Sequence, residues 1–319
     1  MHNEIAHAER VYASAQQKSA AASSPIIASW RRCMSMYQLV PEQNRAPLRL
    51  TDQEFQAVCE QSAQLISEAA DELDRLFLTI GKAGCCLLLT DSKGVALDRR
   101  GAGSEDKDFR NLGLWPGAVW SEASAGTNGI GTALADERSV TIYRDQHFLS
   151  SNINLSCTSA PIRDHRGRLT AVLDISTCRD DVNEMALAIL SQAVRDAALR
   201  IETNLFRSAF RGARIVMVPS GGNPAAALLA VDKDDLILGA TRAARLALKL
   251  DDVHIQAGIP AADALHEDRR DDGADLADAE RAALRRVLSR HNGNVSQAAH
   301  QLGISRATMH RKMKKLALH

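Results

Sequence analysis

Aromatic residues make up only 4% of this 319-residue chain, against a hydrophobic fraction of 45%. Its cores must therefore rest mainly on aliphatic side chains, and each tryptophan has a packing role open to it as well as any binding role. Long apolar runs are missing too. The longest, such as Cys85 to Leu89, fall far short of the ~20 residues that span a bilayer. Residues 1–12 carry polar and charged groups where a signal peptide needs an apolar stretch, so a cytoplasmic protein with no membrane partner is expected. Zinc-type cysteine spacing is absent. Cys33, Cys59, Cys85, Cys86, Cys157 and Cys178 are scattered and read as reduced thiols, with no metal site and no disulfide framework. Nucleotide signatures are lacking as well. The phosphate loop GxxxxGK[ST] does not occur: its nearest imitation, Gly81-Lys82, is followed by Ala83 and has Leu76 where the first glycine belongs. The run Gly126-Thr127-Asn128-Gly129-Ile130-Gly131 is rich in glycine but lacks GxGxxG spacing. No cofactor is implied.

What the chain does have is separated charge. Its 39 basic and 39 acidic residues cancel overall, yet residues 280–319 contain nine arginines and lysines against Glu280 alone. That segment is +8 and everything before it −8, which suits a small module that approaches a polyanion while an acidic body stays off it. Charge alone leaves a merely solvated helical face open. The pattern is sharper. Leu284, Val287 and Leu288 fall at helical spacing over 278–291, and Asn292-Gly293 breaks that helix. Asn294 is a good N-cap, with Gln297 placed to complete a capping box, so a second helix is expected over about 295–302. Gly303 stops it, and Ser305 caps a third helix. Met309, Met313 and Leu316 share one face of that helix, while Arg306, Thr308, His310, Arg311, Lys314 and Lys315 lie on the other. Two short helices around a glycine turn, the second basic outside, form the geometry that seats a recognition helix in a major groove.

The run GNVSQAAHQLGISRATMHRKMKKL resembles the Fis-type helix-turn-helix that closes bacterial enhancer-binding activators. The resemblance implies double-stranded DNA as partner, phosphate contacts from Ser296, Lys314 and Lys315, and groove contacts from Ser305, Arg306, Thr308, His310 and Arg311. Histidine at 310 departs from the family's frequent arginine or lysine and weakens the phosphate contribution. Such activators usually carry a central AAA+ ATPase and a GAFTGA loop for the nitrogen-type sigma factor. Neither signature occurs here, and residues 210–280 leave no room for such a domain.

Residues 84–97, GCCLLLTDSKGVAL, and 155–175, with turn His165-Arg166-Gly167, each read as a hairpin, and a further strand is expected over 139–144. Residues 65–80 and 181–210 read as amphipathic helices. Strands in the middle and helices at the ends make an α+β domain with an antiparallel sheet. SWRRC at 29–33, GLWPGAVWSE, EASAGTNGIGTALAD, SCTSAPIRDHRG and AVLDIS together resemble the GAF domain of the acetoin catabolism and dihydroxyacetone kinase regulators, over about 26–205. The resemblance implies a small-molecule effector between sheet and loops. Trp115, Trp120, His147, Phe148 and Cys157 flank the motif elements and are the candidate ligand residues; packing is the alternative for each. Adjacent Cys85 and Cys86 pose redox sensing against packing.

ALLAVDKDDLILGATRAARLALKL, 227–250, reads as strand, turn, strand and helix, and resembles the opening of a PAS domain. The acidic stretch after Gly258 reads as a linker. Leu187, Leu190, Val194, Ala197, Ile201 and Leu205 form a stripe that either covers its own domain or pairs with a twin. The expected order is an N-terminal tail (1–25), a GAF sensory domain with connecting helix (26–205), a PAS-like segment (206–262), an acidic linker (263–278) and a Fis-type helix-turn-helix (279–319). The fold class is α+β throughout, with an all-α C-terminal module. The functional expectation is a ligand-responsive, DNA-binding transcriptional regulator with no catalytic residues and no ATPase activity. It is expected as a homodimer, with RNA polymerase or a full-length paralogous activator as candidate partners. The rival is a GAF-based thiol enzyme or redox sensor of the methionine sulfoxide reductase type, using Cys85, Cys86 or Cys157.

Overall fold

The computed structural model describes residues 2–16, 24–43, 47–103, 106–219, 227–233, 236–265, 280–281, 283–284, 287–288, 291, 293–316 and 318. They fall into two compact units, Met1–Ala261 and Ala262–His319. The architecture is α+β.

In the first unit, helices α1 (His2–Gln16), α2 (Pro25–Ser35), α3 (Asp52–Gln61) and α4 (Ala63–Ile80) precede the hairpin of β1 (Cys85–Asp91) and β2 (Ala96–Arg100). Helix α5 (Gly129–Asp136) leads to β3 (Val140–Tyr143), β4 (Ser156–Arg163), β5 (Leu169–Thr177) and the long helix α6 (Glu184–Ala209). The five strands form one antiparallel sheet in the order β2-β1-β5-β4-β3. Its two hairpin turns share one chemistry. Asp91 Oδ1 accepts from the amides of Lys93 and Val95 at 2.9 and 2.8 Å, and Asp164 Oδ1 from those of Arg166 and Arg168 at 2.8 and 2.9 Å. The third residue after each aspartate is a glycine, Gly94 or Gly167, at φ +81° and +78°.

The pleat sends alternate residues to two covered faces. Leu87, Leu89, Leu173 and Ile175 meet Leu73, Leu76 and Ile80 of α4 and Val194, Ala197 and Ile201 of α6. Leu88 and Val172 point the other way, into a core with Trp120, Ile130, Ile142 and Leu155. Cys85 and Cys86 therefore both pack, one on each face. The stripe on α6 covers its own sheet: Leu187, Val194, Ala197, Ile201 and Leu205 are buried, and Leu190 packs beside them. At the β2 edge, the amide of Ala96 donates to Ala118 O and that of Gly117 to Ala96 O, at 2.9 and 2.8 Å. The amides of Leu50 and Val119 in turn bond Gly117 O and Leu48 O, both at 2.9 Å. Irregular chain thus straps this edge.

The stretch 1–25, read as a tail, contains α1, which buries Ala8, Val11 and Ala15 at i, i+3, i+7. Val11 joins Trp30, Cys33, Leu39, Phe148 and Leu149 in a core of their own. Its stripe is mostly alanine, so hydropathy contrast gave little sign of it.

Past α6, strands β6 (Arg214–Met217), β7 (Leu228–Val231) and β8 (Ile237–Ala240) form a second antiparallel sheet, followed by α7 (Arg242–Leu248). The strand-turn-strand-helix reading of 227–250 is present, with β6 added on its outer side. Phe206 at the end of α6 packs with Leu228, Ala230 and Phe210. Of the acidic linker, residues 266–278 lie outside the described residues. Among the described residues, no helix is long and apolar enough to cross a membrane.

Candidate functional site

The second unit is built on α8 (Val295–Gln301) and α9 (Arg306–Lys315). Asn294 Oδ1 accepts from the amides of Ser296 and Gln297, both at 3.1 Å. The reciprocal bond, from the Asn294 amide to the Gln297 side chain, that would complete a capping box is not made, because that amide donates instead to His291 O at 2.9 Å. Gly303, at φ +66°, turns the chain. Ser305 Oγ then caps α9, accepting from Thr308 N at 3.1 Å and lying 2.9 Å from Thr308 Oγ1. Met309 and Leu316 are buried with Leu284, Val287, Ala298 and Ala299, and Met313 packs against them. Lys312 pairs with Glu280, and Arg281 Nε donates to Leu316 O at 3.1 Å.

Those contacts hold the rear of α9. Its outer side keeps Ser305, Arg306, His310, Arg311, Lys314 and Lys315 exposed, with Thr308 half-buried and Ser296 exposed on α8. The expected DNA residues thus share one unit and, except for Thr308, are exposed.

The five candidate ligand residues divide. Trp120 is buried in the sheet-face core, its Nε1 donating to Gly113 O at 2.9 Å. His147 is wholly buried. Its Nδ1–H donates to Arg144 O at 2.8 Å, leaving Nε2 as the acceptor 3.4 Å from Cys157 Sγ. Ser176 Oγ lies 3.1 Å from that sulfur and 2.6 Å from Asp174 Oδ2, and Ser159 Oγ donates to Asp174 Oδ1 at 2.5 Å. The cross-strand pairs Cys157↔Ser176 and Ser159↔Asp174 set this chain of polar groups. Burial governs its protonation, pushing the His147 imidazole down to about 4, the Asp174 carboxyl up to about 6 and the Cys157 thiol well above its ordinary value.

Trp120, His147 and Cys157 therefore meet around one core, whereas Phe148 belongs to the α1–α2 cluster and Trp115 stands apart. Trp115 is stacked between Arg99 and Arg110, whose guanidinium carbons lie 4.5 and 4.1 Å from its ring centre. None of the five lines any of four clefts, of about 300 to 770 Å³, formed by described residues of this unit.

The glycines of GTNGIG serve close packing. A Cβ on Gly129 would overlap Ser159 Oγ and crowd Asp174, and one on Gly131 would press on the backbone of Trp120 and Glu122. Asn128 caps α5 by accepting from Gly131 N at 2.9 Å. SWRRC is tied to the same element. Arg32 grips both oxygens of buried Glu122 at 2.9 Å and reaches Asp136 at 2.9 Å, while Ser29 Oγ donates to Glu122 at 2.6 Å. Glu122 and Asp174 were not singled out from sequence. A carboxylate at an inward position of the apolar run AVLDIS was the available signal for Asp174.

Residues 3–202 match the family model described as "MimR, N-terminal domain", and residues 275–316 the one described as "Bacterial regulatory protein, Fis family". The acetoin catabolism regulatory protein of Cupriavidus necator is 34% identical over 226 residues, 69% of this chain and 34% of that protein. The propane 2-monooxygenase operon transcriptional activator MimR of Mycolicibacterium smegmatis is 30% identical over 194 residues, 60% of this chain and 31% of that protein. The chain spans about a third of the length of these relatives. The crystal structure of the Escherichia coli DhaR(N)-DhaL complex aligns with TM-score 0.52 at 19% identity, over 71% of this chain and 77% of that one, a likeness of fold. The chain belongs to the MimR N-terminal domain family of bacterial transcriptional regulators and carries a DNA-binding helix-turn-helix of the Fis family.

Proposed function

We propose that the protein is a ligand-responsive regulator that binds operator DNA through α9 and works without an ATPase within these 319 residues. The observation that carries the reading is the exposed row Arg306, Arg311, Lys314 and Lys315 on a helix whose opposite side is locked to a small core. No phosphate loop occurs in these 319 residues, so they do not themselves remodel a closed promoter complex by hydrolysing ATP. The proposed layout is a GAF sensory domain over 26–205, a PAS-like segment over 206–262, a linker over 263–278 and the DNA-binding module over 279–319. Ser296, Lys314 and Lys315 hold phosphates; Ser305, Arg306, Thr308, His310 and Arg311 face the groove.

The effector is a small molecule taken by the GAF domain, with Trp120, His147 and Cys157 at the centre of the responsive core and Trp115 and Phe148 at its margins. Its binding shifts the population between two arrangements of a homodimer and so the spacing of two recognition helices. RNA polymerase or a full-length relative then reads the result in the cytoplasm. The thiol-enzyme alternative has less support, since burial raises the thiols of Cys33, Cys86 and Cys157, the first to about 12.

Fluorescence anisotropy with selected genomic duplexes tests the reading. Arg306→Ala should cost about 1 to 3 kcal/mol on the specific site and relax its sequence preference. Equal, weak binding to every duplex in dilute buffer would sink the proposal, and magnesium-dependent ATP turnover by the purified chain would sink its ATPase-free part.

A further inference from the structure

A cleft of about 310 Å³ opens between the β4–β5 turn and the second sheet, and neither the recognition helix nor the buried polar chain uses it. His165, Arg166 and Arg168 reach it from the turn, Phe210 from the end of α6, and Arg245 and Asp252 from beyond β8. Three arginines and a single carboxylate thus line it. Asp252 is already committed, to Arg245 at 2.8 Å and more loosely to Arg168 at 3.8 Å. Arg245 also donates Nε to Ala240 O at 2.9 Å, which fixes its fork in place. The Arg166 guanidinium has no hydrogen bond or ion pair among the described residues; only its backbone amide is engaged, by Asp164. This surplus of positive charge sits in a part of the chain whose sum is negative.

Like charges gathered at a half-enclosed site cost free energy unless an anion joins them. The turn that carries Arg166 and Arg168 is nevertheless held in position. Gly167, at φ +78°, lets the turn pass within contact of the Arg242 backbone, and the His165 ring meets Phe210 edge-on at 5.9 Å. Arginines carried on a fixed turn, with one fixed guanidinium behind them and an aromatic wall beside them, match a small molecule with anionic oxygens and an organic body.

We propose that this cleft binds a small organic anion, a carboxylate or a phosphate ester, whose oxygens are gripped by Arg166 and Arg168 with Arg245 behind them. Occupancy fastens the β4–β5 turn to the second sheet. The site is independent of the DNA-binding reading, since no residue after 261 contributes to it. Duplex phosphate is the poorer candidate, because the surrounding acidic body repels a polyanion.

The test is calorimetric titration of the full chain at constant ionic strength, with sodium phosphate as one probe and disodium succinate as the other. At least one should bind saturably at one site per chain, phosphate alone pointing to a phosphate ester and succinate alone to a carboxylate. Arg166→Gln should weaken it about tenfold or more, leaving the anion-free melting temperature in place because that guanidinium has no partner to lose. Arg168→Gln should weaken it too, and Lys314→Gln, on the recognition helix, should not. Absence of saturable binding by both probes, full affinity in both turn variants, or loss in Lys314→Gln would overturn the proposal.

Discussion

Replacing Asp174 with asparagine probes the buried polar chain most directly. Burial lifts this carboxyl from 3.8 to about 6, against the downward pull of the Ser159 and Ser176 hydroxyls. The folded chain therefore holds the proton more tightly than the unfolded one. The resulting stability is complete below pH 3.8 and is lost as pH rises through about 6. At about 1.4 kcal/mol per pH unit, the ionised carboxylate costs about 3 kcal/mol near neutrality. His147 acts in the opposite sense. Burial lowers its imidazole from 6.5 to about 4, so its contribution is present above pH 6.5 and is lost as pH falls through about 4. That too amounts to about 3 kcal/mol. Across the interval the two slopes nearly cancel in the native chain. Asp174→Asn removes one of them, so the variant should gain on wild type as pH climbs, by about 1 to 3 kcal/mol once imperfect hydroxyl bonding is allowed for. Urea unfolding at a series of pH values, followed by tryptophan fluorescence, reads this, since Trp120 shares the affected core. A variant-minus-wild-type difference that stays constant from acid to neutral pH would refute the reasoning.

Gly129→Ala drives a methyl into Ser159 and Asp174 and should cost about 1 to 3 kcal/mol in denaturant melts, as overpacking does. Glu122→Gln leaves the buried end of Arg32 without its bidentate acceptor. A lowered thermal midpoint, equivalent to about 1 to 3 kcal/mol, is expected, Asp136 retaining part of the interaction. Ser305→Ala deletes the α9 cap and should lose about 1 kcal/mol of helix stability; circular dichroism of the full chain and operator affinity should fall together.

Helices α8 and α9 were legible almost to the residue because their signals are local, while much of the helix expected over 278–291 lies outside the described residues. Asn294, Gly303 and Ser305 each act within a turn of where they stand, and the Met309–Leu316 face follows from helical period alone. The two hairpins were legible for the same reason, their Asp-x-x-Gly turns being written in four successive residues. Long-range pairing was not legible. Nothing in SCTSAPIRD or AVLDIS says that Cys157 faces Ser176 or that Ser159 faces Asp174, since register depends on both strands at once. The stripe on α6 was ambiguous until α4 and the sheet took it up. Trp115 illustrates the other limit. Its neighbours Arg99 and Arg110 look like ordinary surface charges in sequence and become a stack only when β2 and the short helix Asp106–Asn111 after it are folded.

The strap over β2 bears on how this protein behaves when crowded. An open strand edge invites a neighbouring molecule to add itself, the first step toward insoluble assemblies. Here residues 117–119 already bond Ala96 on that margin, and 48–50 bond them in turn, so in the folded chain the start of β2 offers no open backbone to a neighbour. The opposite flank ends at Val140–Tyr143, a strand of four residues, too short to zip a second molecule on firmly. At these two places the sheet resists extension by a second molecule.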